Sequence, residues 1–178
     1  MSRLISVGHG TLTGDGLIRL LRSADVHSVV DVRRYPGSRN NPDARAGALA
    51  RRLPDADIAY RTCQALGGRR RLDPDTPLVD TWWRVQQFAA YAAHTRTDEF
   101  DAGCTELLAE AARHRTAMMC SESVWWRCHR RLIADVATLV HNTTVSHLMH
   151  DGRLVDHVPA DGARVRDDGH VVWDSVTR

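Results

Sequence analysis

Two hydrophobic periodicities divide the chain. Short apolar runs at Leu4 to Val7, Val29 to Val32, Ile58 to Arg61, Ala117 to Cys120 and Val145 to Met149 predict strands. Between them apolar residues recur at helical spacing. Leu17, Ile18, Leu20 and Leu21 mark a helix within Asp15 to Ala24, and Arg45 to Leu53 reads the same way. Two further helices are expected over Thr81 to Thr95 and Asp98 to His114, and Leu132, Ile133, Val136, Leu139 and Val140 predict another after Cys128-His129. Pro36-Gly37 punctuates a loop, and Gly67-Gly68 with Pro74 and Pro77 marks a long connection. The tail alternates around Gly152, Gly162 and Gly169, the pattern of a small hairpin extension.

Strands alternating with helices predict an α/β fold: a mostly parallel sheet with helices on both faces, Rossmann-like and three-layered. Residues 1–150 are expected to form the catalytic domain, and residues 151–178 a C-terminal extension packed on it. Ligands of such folds bind beyond the carboxyl ends of the strands. Gly8-His9-Gly10, Asp31 to Arg39 and Cys120-Ser121-Glu122 all fall there, on one rim.

Composition narrows the class. The chain has 178 residues, 43% of them hydrophobic, enough for one domain with a real core. The short apolar start is unlike a signal peptide and no run reaches the length of a membrane span, so a cytoplasmic location away from membranes is expected. The four cysteines are irregularly spaced, which suits reduced thiols. Every basic side chain other than histidine is arginine, so lysine Schiff-base chemistry is excluded. The arginines cluster at 33–34, 51–52, 69–71 and 127–131, and guanidinium groups suit bidentate contacts to phosphate or carboxylate.

The densest chemistry lies in Met119 to Arg131, which holds Glu122, Cys120, Cys128, His129, Arg127, Arg130, Trp125 and Trp126 at a strand-to-helix transition. A helix N-terminus there would offer free N–H groups to an anion. Ser6-Val7-Gly8-His9, Asp31-Val32-Arg33 with Pro36 and Ser38-Arg39, Leu66-Gly67-Gly68, Cys120-Ser121-Glu122 and Cys128-His129-Arg130 together resemble the family called domain of unknown function 488. The resemblance spans about residues 4 to 150. It departs at Gly10, where the family usually carries serine. Some members are linked to excision of cytosine alkylated at N3, so the resemblance implies an enzyme acting on a modified base in DNA.

The residues fit that expectation as follows. Glycosidic-bond hydrolysis needs a carboxylate to stabilise an oxocarbenium-like state and to activate water; Glu122 and Asp31 are the candidates. Without lysine, the reaction would be hydrolysis alone, a monofunctional glycosylase. Trp125, Trp126 and Tyr60 offer stacking surfaces for an extruded base. Arg33, Arg39, Arg127 and Arg130 are candidate phosphate or base contacts, with Ser38 and His9 as further substrate contacts. Plainer roles compete: an ion pair between Asp31 and Arg33, a salt bridge from Glu122 to Arg127 or Arg130, and tryptophans that only pack.

Cys120, Cys128 and His129 also invite a metal reading. The chain lacks the close C-x₂-C pairs of most zinc sites, so neither a metal nor any other cofactor is expected. Cys120 to Arg127 is one residue longer than the phosphatase loop C-x₅-R. It keeps open a thiol-dependent phosphatase or sulfurtransferase with Cys120 as nucleophile. The remaining alternative is a non-catalytic nucleic-acid-binding domain.

Overall fold

Residues of the four central strands of the sheet are buried on both sides, as continuous apolar runs require of a covered parallel sheet. A computed structural model describes residues 3–174. In chain order its elements are β1 (Arg3–Gly8), α1 (Gly14–Ser23), β2 (Ser28–Asp31), α2 (Ala46–Asp55), β3 (Ala59–Thr62), α3 (Gln86–His94) and α4 (Asp98–Arg113). Then follow β4 (Thr116–Cys120), α5 (Arg130–Leu139), β5 (Thr144–Leu148), β6 (Leu154–Asp156), β7 (Ala163–Val165) and β8 (Val171–Trp173). The main sheet runs in the order β3-β2-β4-β1-β5-β6, and β7 and β8 form a separate hairpin. All pairings within β3-β2-β4-β1-β5 are parallel, whereas β6 returns antiparallel along β5. The chain is therefore α/β with a mostly parallel sheet and a small C-terminal hairpin.

The pleat sends alternate side chains to two cores. Ile5, Val7, Val29, Ala117 and Met119 meet Leu17, Leu20 and Leu21 of α1 and Leu49 and Leu53 of α2. Leu4, Val30, Met118 and Cys120 meet α3, α4 and α5 through residues such as Tyr91, Phe100, Leu107 and Ile133. Packing outweighs local propensity in holding these helices. The Thr13 side chain caps α1 by accepting the Gly16 N–H, worth about 1 kcal/mol. Each of the three buried leucines of α1 contributes about 1.5–3 kcal/mol.

This layering opens the crevice. β1 and β2 send their chains to α1 and α2 on one face, while β4, lying between them, sends its own to α5 on the other. The loops part at the carboxyl end of β4.

Two local expectations are corrected. The helix expected from Thr81 begins only at Gln86, because Trp82 and Trp83 are drawn out of helical geometry. The Trp82 N–H donates to the Trp173 carbonyl, and the Trp83 ring sits 6.1 Å from that of Trp173. After β4 the chain forms a short 3₁₀ turn, Trp125–Arg127, and α5 starts at Arg130, so residues 121–124 carry no helix N-terminus. The described part of the C-terminal extension packs on the domain: Val171, Val172 and Trp173 are buried, and Trp173 Nε1 donates to Asp135 Oδ2 at 2.8 Å, while residues 175–178 lie outside the described residues. No helix among the described residues is long and apolar enough to cross a membrane.

Candidate functional site

The end of β1 and the segment after β4 are stitched together by backbone. His9 N–H donates to the Cys120 carbonyl and Gly10 N–H to that of Ser121, both at 2.9 Å. The approach demands glycine at position 8, where a Cβ would lie 1.8 Å from the Glu122 carbonyl oxygen. Gly10 has a φ of +50°, the left-handed region that glycine adopts without strain.

Beyond these strand ends lies a cleft of about 190 Å³. Its lining includes Arg33, Arg34, Arg69 and Arg127, the rings of Tyr35, Phe88 and Tyr91, and Cys120, Glu122, Cys128 and His129. Glu122 is the single carboxylate of that lining. It is exposed, and its Oε1 accepts the Val124 N–H at 3.1 Å. A neighbouring crevice is lined by Arg39 and Ser38 together with Arg33, Arg69 and Ser121.

Not every expected residue joins the cleft. Asp31 is 0% exposed, lies on the α1 and α2 side of the sheet with Val29 and Tyr60, and does not line the cleft that Glu122 lines. Its Oδ1 accepts Arg33 Nε at 2.8 Å, and its Oδ2 accepts Arg33 Nη2 and the Tyr60 hydroxyl, each at 2.6 Å. All its strong acceptor positions are spent, so the two carboxylates do not form the pair expected from their matching strand ends. Tyr60 is likewise removed from stacking: burial and the Asp31 charge push its phenol well above its ordinary value, fixing it as a donor. His9 donates from Nδ1 to the Gly10 carbonyl and accepts Arg33 Nη1 on Nε2 at 3.1 Å. Burial, reinforced by Arg33, lowers its pKa and keeps it neutral. Asp31, Tyr60 and His9 thus hold Arg33 in place from behind, and only Arg33 reaches the cleft.

Trp125 stacks on His147 with ring centroids 4.0 Å apart and planes 2° from parallel. Trp126 packs edge-on against Trp125 and is 47% exposed, and neither ring lines the cleft. The 3₁₀ turn sends the two indoles away and turns Arg127 inward. Arg130 is buried beneath the cleft, donating to Ser6 Oγ at 3.0 Å, to the Glu122 carbonyl and to Cys128 Sγ. Ser38 braces its own loop, its Oγ accepting the Asn41 N–H.

Phe88 and Tyr91 also line the cleft, although nothing in their sequence surroundings marks them as site residues, and Gly68 lines it beside them. A Cβ at Gly68 would lie 2.9 Å from His129 Nδ1, so the Gly67-Gly68 pair was the available signal for a close approach to the site. The Tyr91 ring packs 5.0 Å from the His129 ring, and its hydroxyl donates to the Leu66 carbonyl.

The sulfur groups form the floor. His129 Nδ1 lies 3.6 Å from Cys128 Sγ and 3.9 Å from Cys120 Sγ. Burial raises the Cys128 thiol, but the hydrogen bond with Cys120 and then the Arg130 charge outweigh it and lower its pKa to about 6. The hydrogen bond with Cys128, together with burial, pushes the Cys120 thiol up to about 12. Among the described residues Cys120, Cys128 and His129 form a group with ligand atoms all within 4.8 Å of one another.

A doubly covered parallel sheet with an arginine-ringed cleft at its strand ends defines the class of protein. The family model described as domain of unknown function DUF488 matches residues 14–137, and the chain belongs to that family. No curated protein and no solved structure matches it.

Proposed function

We propose that the chain is a hydrolase that releases an alkylated base, such as cytosine alkylated at N3, from DNA. The observation that carries this reading is one accessible carboxylate, Glu122, in a cleft otherwise ringed by guanidinium groups and aromatic rings. A volume of about 190 Å³ falls below the roughly 300–1,000 Å³ of drug-sized sites and suits a single heterocycle. Arg33, Arg34, Arg69 and Arg127 suit the flanking phosphates, and Tyr35, 62% exposed, offers a ring at the mouth. Glu122 takes the catalytic role, stabilising positive charge at the sugar while accepting a proton from water. Asp31 is a positioning residue acting through Arg33. The four free thiols suit a reducing, cytoplasmic setting.

The test is release of free base from oligonucleotides carrying different adducts. Glu122→Gln should lose at least about 100-fold, because the amide keeps the shape but neither balances charge nor takes a proton. The competing thiol reading, with a small anionic substrate, reverses the order: Glu122→Gln stays active and Cys120→Ser is dead. An active Glu122→Gln on an adduct that the unaltered chain cleaves sinks our reading.

A further inference from the structure

The floor of the cleft suggests a site of a different kind. His129 Nε2 lies 2.9 Å from the Val32 carbonyl oxygen, which can only accept, so Nε2 carries the proton. In the neutral ring, the form that binds a metal, Nδ1 then offers its lone pair, and Nδ1 faces both sulfurs. Metal-ligating histidines are fixed in the same way, by donating the second ring nitrogen to a carbonyl or carboxylate.

The spacing can be compared with what an ion requires. Zinc–sulfur and zinc–nitrogen bonds of about 2.3 and 2.0–2.1 Å in a tetrahedron place sulfur about 3.6 Å from nitrogen and the two sulfurs about 3.8 Å apart. The observed sulfur–nitrogen separations are 3.6 and 3.9 Å, and all three atoms lie within 4.8 Å. Little movement is needed to bring the three onto one ion. Gly68 leaves room for the imidazole, and the Arg130 Nε–H donates to Cys128 Sγ at 3.4 Å, as an N–H group does to a ligating thiolate.

We propose that Cys120, Cys128 and His129 bind one thiophilic divalent cation of the zinc class. The ligands come from the end of β4 and the residues just before α5, which explains the missing C-x₂-C signature: the fold closes a pair eight positions apart in sequence. All three residues line the cleft, so the fourth coordination position opens toward it, on the side that also carries Glu122. Two thiolates and a neutral imidazole leave a divalent ion formally uncharged, and the open position takes water or a substrate oxygen or nitrogen. The inference rests on side-chain geometry alone and stands apart from the base-release reading.

The test is a cobalt(II) titration of the full chain, stripped with chelator and kept reduced, with the thiols counted. The expected result is a sulfur-to-cobalt charge-transfer band with intense visible bands of four-coordinate geometry, saturating at one ion per chain and displaced by zinc. X-ray absorption of the zinc-loaded chain should then show two sulfurs, one imidazole and one lighter atom. Cys128→Ser and His129→Gln should each weaken binding by at least about tenfold, while Cys104→Ser, buried on α4, should leave it unchanged. If a ligand variant does not fold, the spectra of the unaltered chain decide. Fully reduced thiols without uptake, a six-coordinate oxygen and nitrogen shell, uptake indifferent to Cys128→Ser, or oxidation of the cysteines to a disulfide in place of uptake would each overturn the proposal.

Discussion

Removing the Arg33 guanidinium should expose what Asp31 does. In Arg33→Met the Asp31 carboxylate, 0% exposed, loses the Nε and Nη2 donors at 2.8 and 2.6 Å and keeps the Tyr60 hydroxyl. His9 Nε2 and the Ala44 carbonyl lose their donors as well. Breaking one side of a buried ion pair typically costs about 3–5 kcal/mol, since the remaining charge is left in a poorly solvating interior. Asp31→Asn should cost a similar amount by stranding the guanidinium. The double variant should cost clearly less than the sum, because neither charge is then orphaned. In urea, with a slope of about 2 kcal/mol per molar, a loss of about 4 kcal/mol moves the unfolding midpoint by about 2 M at unchanged slope. Equilibrium unfolding of the four proteins at neutral pH measures this cycle. Additive single effects, or an Arg33→Met stability within about 0.5 kcal/mol of the parent, would refute the positioning role and return Asp31 to the catalytic candidates.

Three further outcomes follow from other contacts. Burial, with His157 and Arg130 nearby, lowers the His147 pKa from 6.5 to about 3; the unfolded chain binds this proton first on acidification. Stability from this group is therefore full above about pH 6.5 and lost toward pH 3, at up to about 1.4 kcal/mol per unit; urea midpoints between pH 7.5 and 5 should show that slope, and His147→Gln should flatten it. Gly8→Ala should destabilise by about 3 kcal/mol through its clash with the Glu122 carbonyl, whereas Gly37→Ala, whose Cβ meets nothing within 4 Å, should change thermal stability little; equal melting temperatures would contradict the packing. If Arg39 contacts phosphate beside the cleft, Arg39→Ala should reduce the slope of log affinity for DNA against log salt by about 0.9, measured by fluorescence anisotropy.

The sequence alone determined the layers of this protein. Period-two and period-3.6 patterns are short-range consequences of how a strand or helix meets a core, so the parallel strands, the five helices and the rim of polar loops were legible from residues such as Val29, Leu17 and Ile133. The family motifs located the same rim. Tertiary structure decided what each polar residue on that rim does. Asp31 and Cys120 both end apolar strands, yet the pleat and register send Asp31 beneath Arg33 and Cys120 into the opposite layer with His129. A shift of one residue reverses a side chain's face, and no local pattern records which neighbour waits there. Trp125 and Trp126 were equally ambiguous, because a 3₁₀ turn rather than a helix sets their direction. Cys120, Cys128 and His129 could be named as a ligand set from sequence, but their spacing along the chain matches no common ligand motif, and only the closure of β4 against α5 brings the three ligand atoms within 4.8 Å of one another.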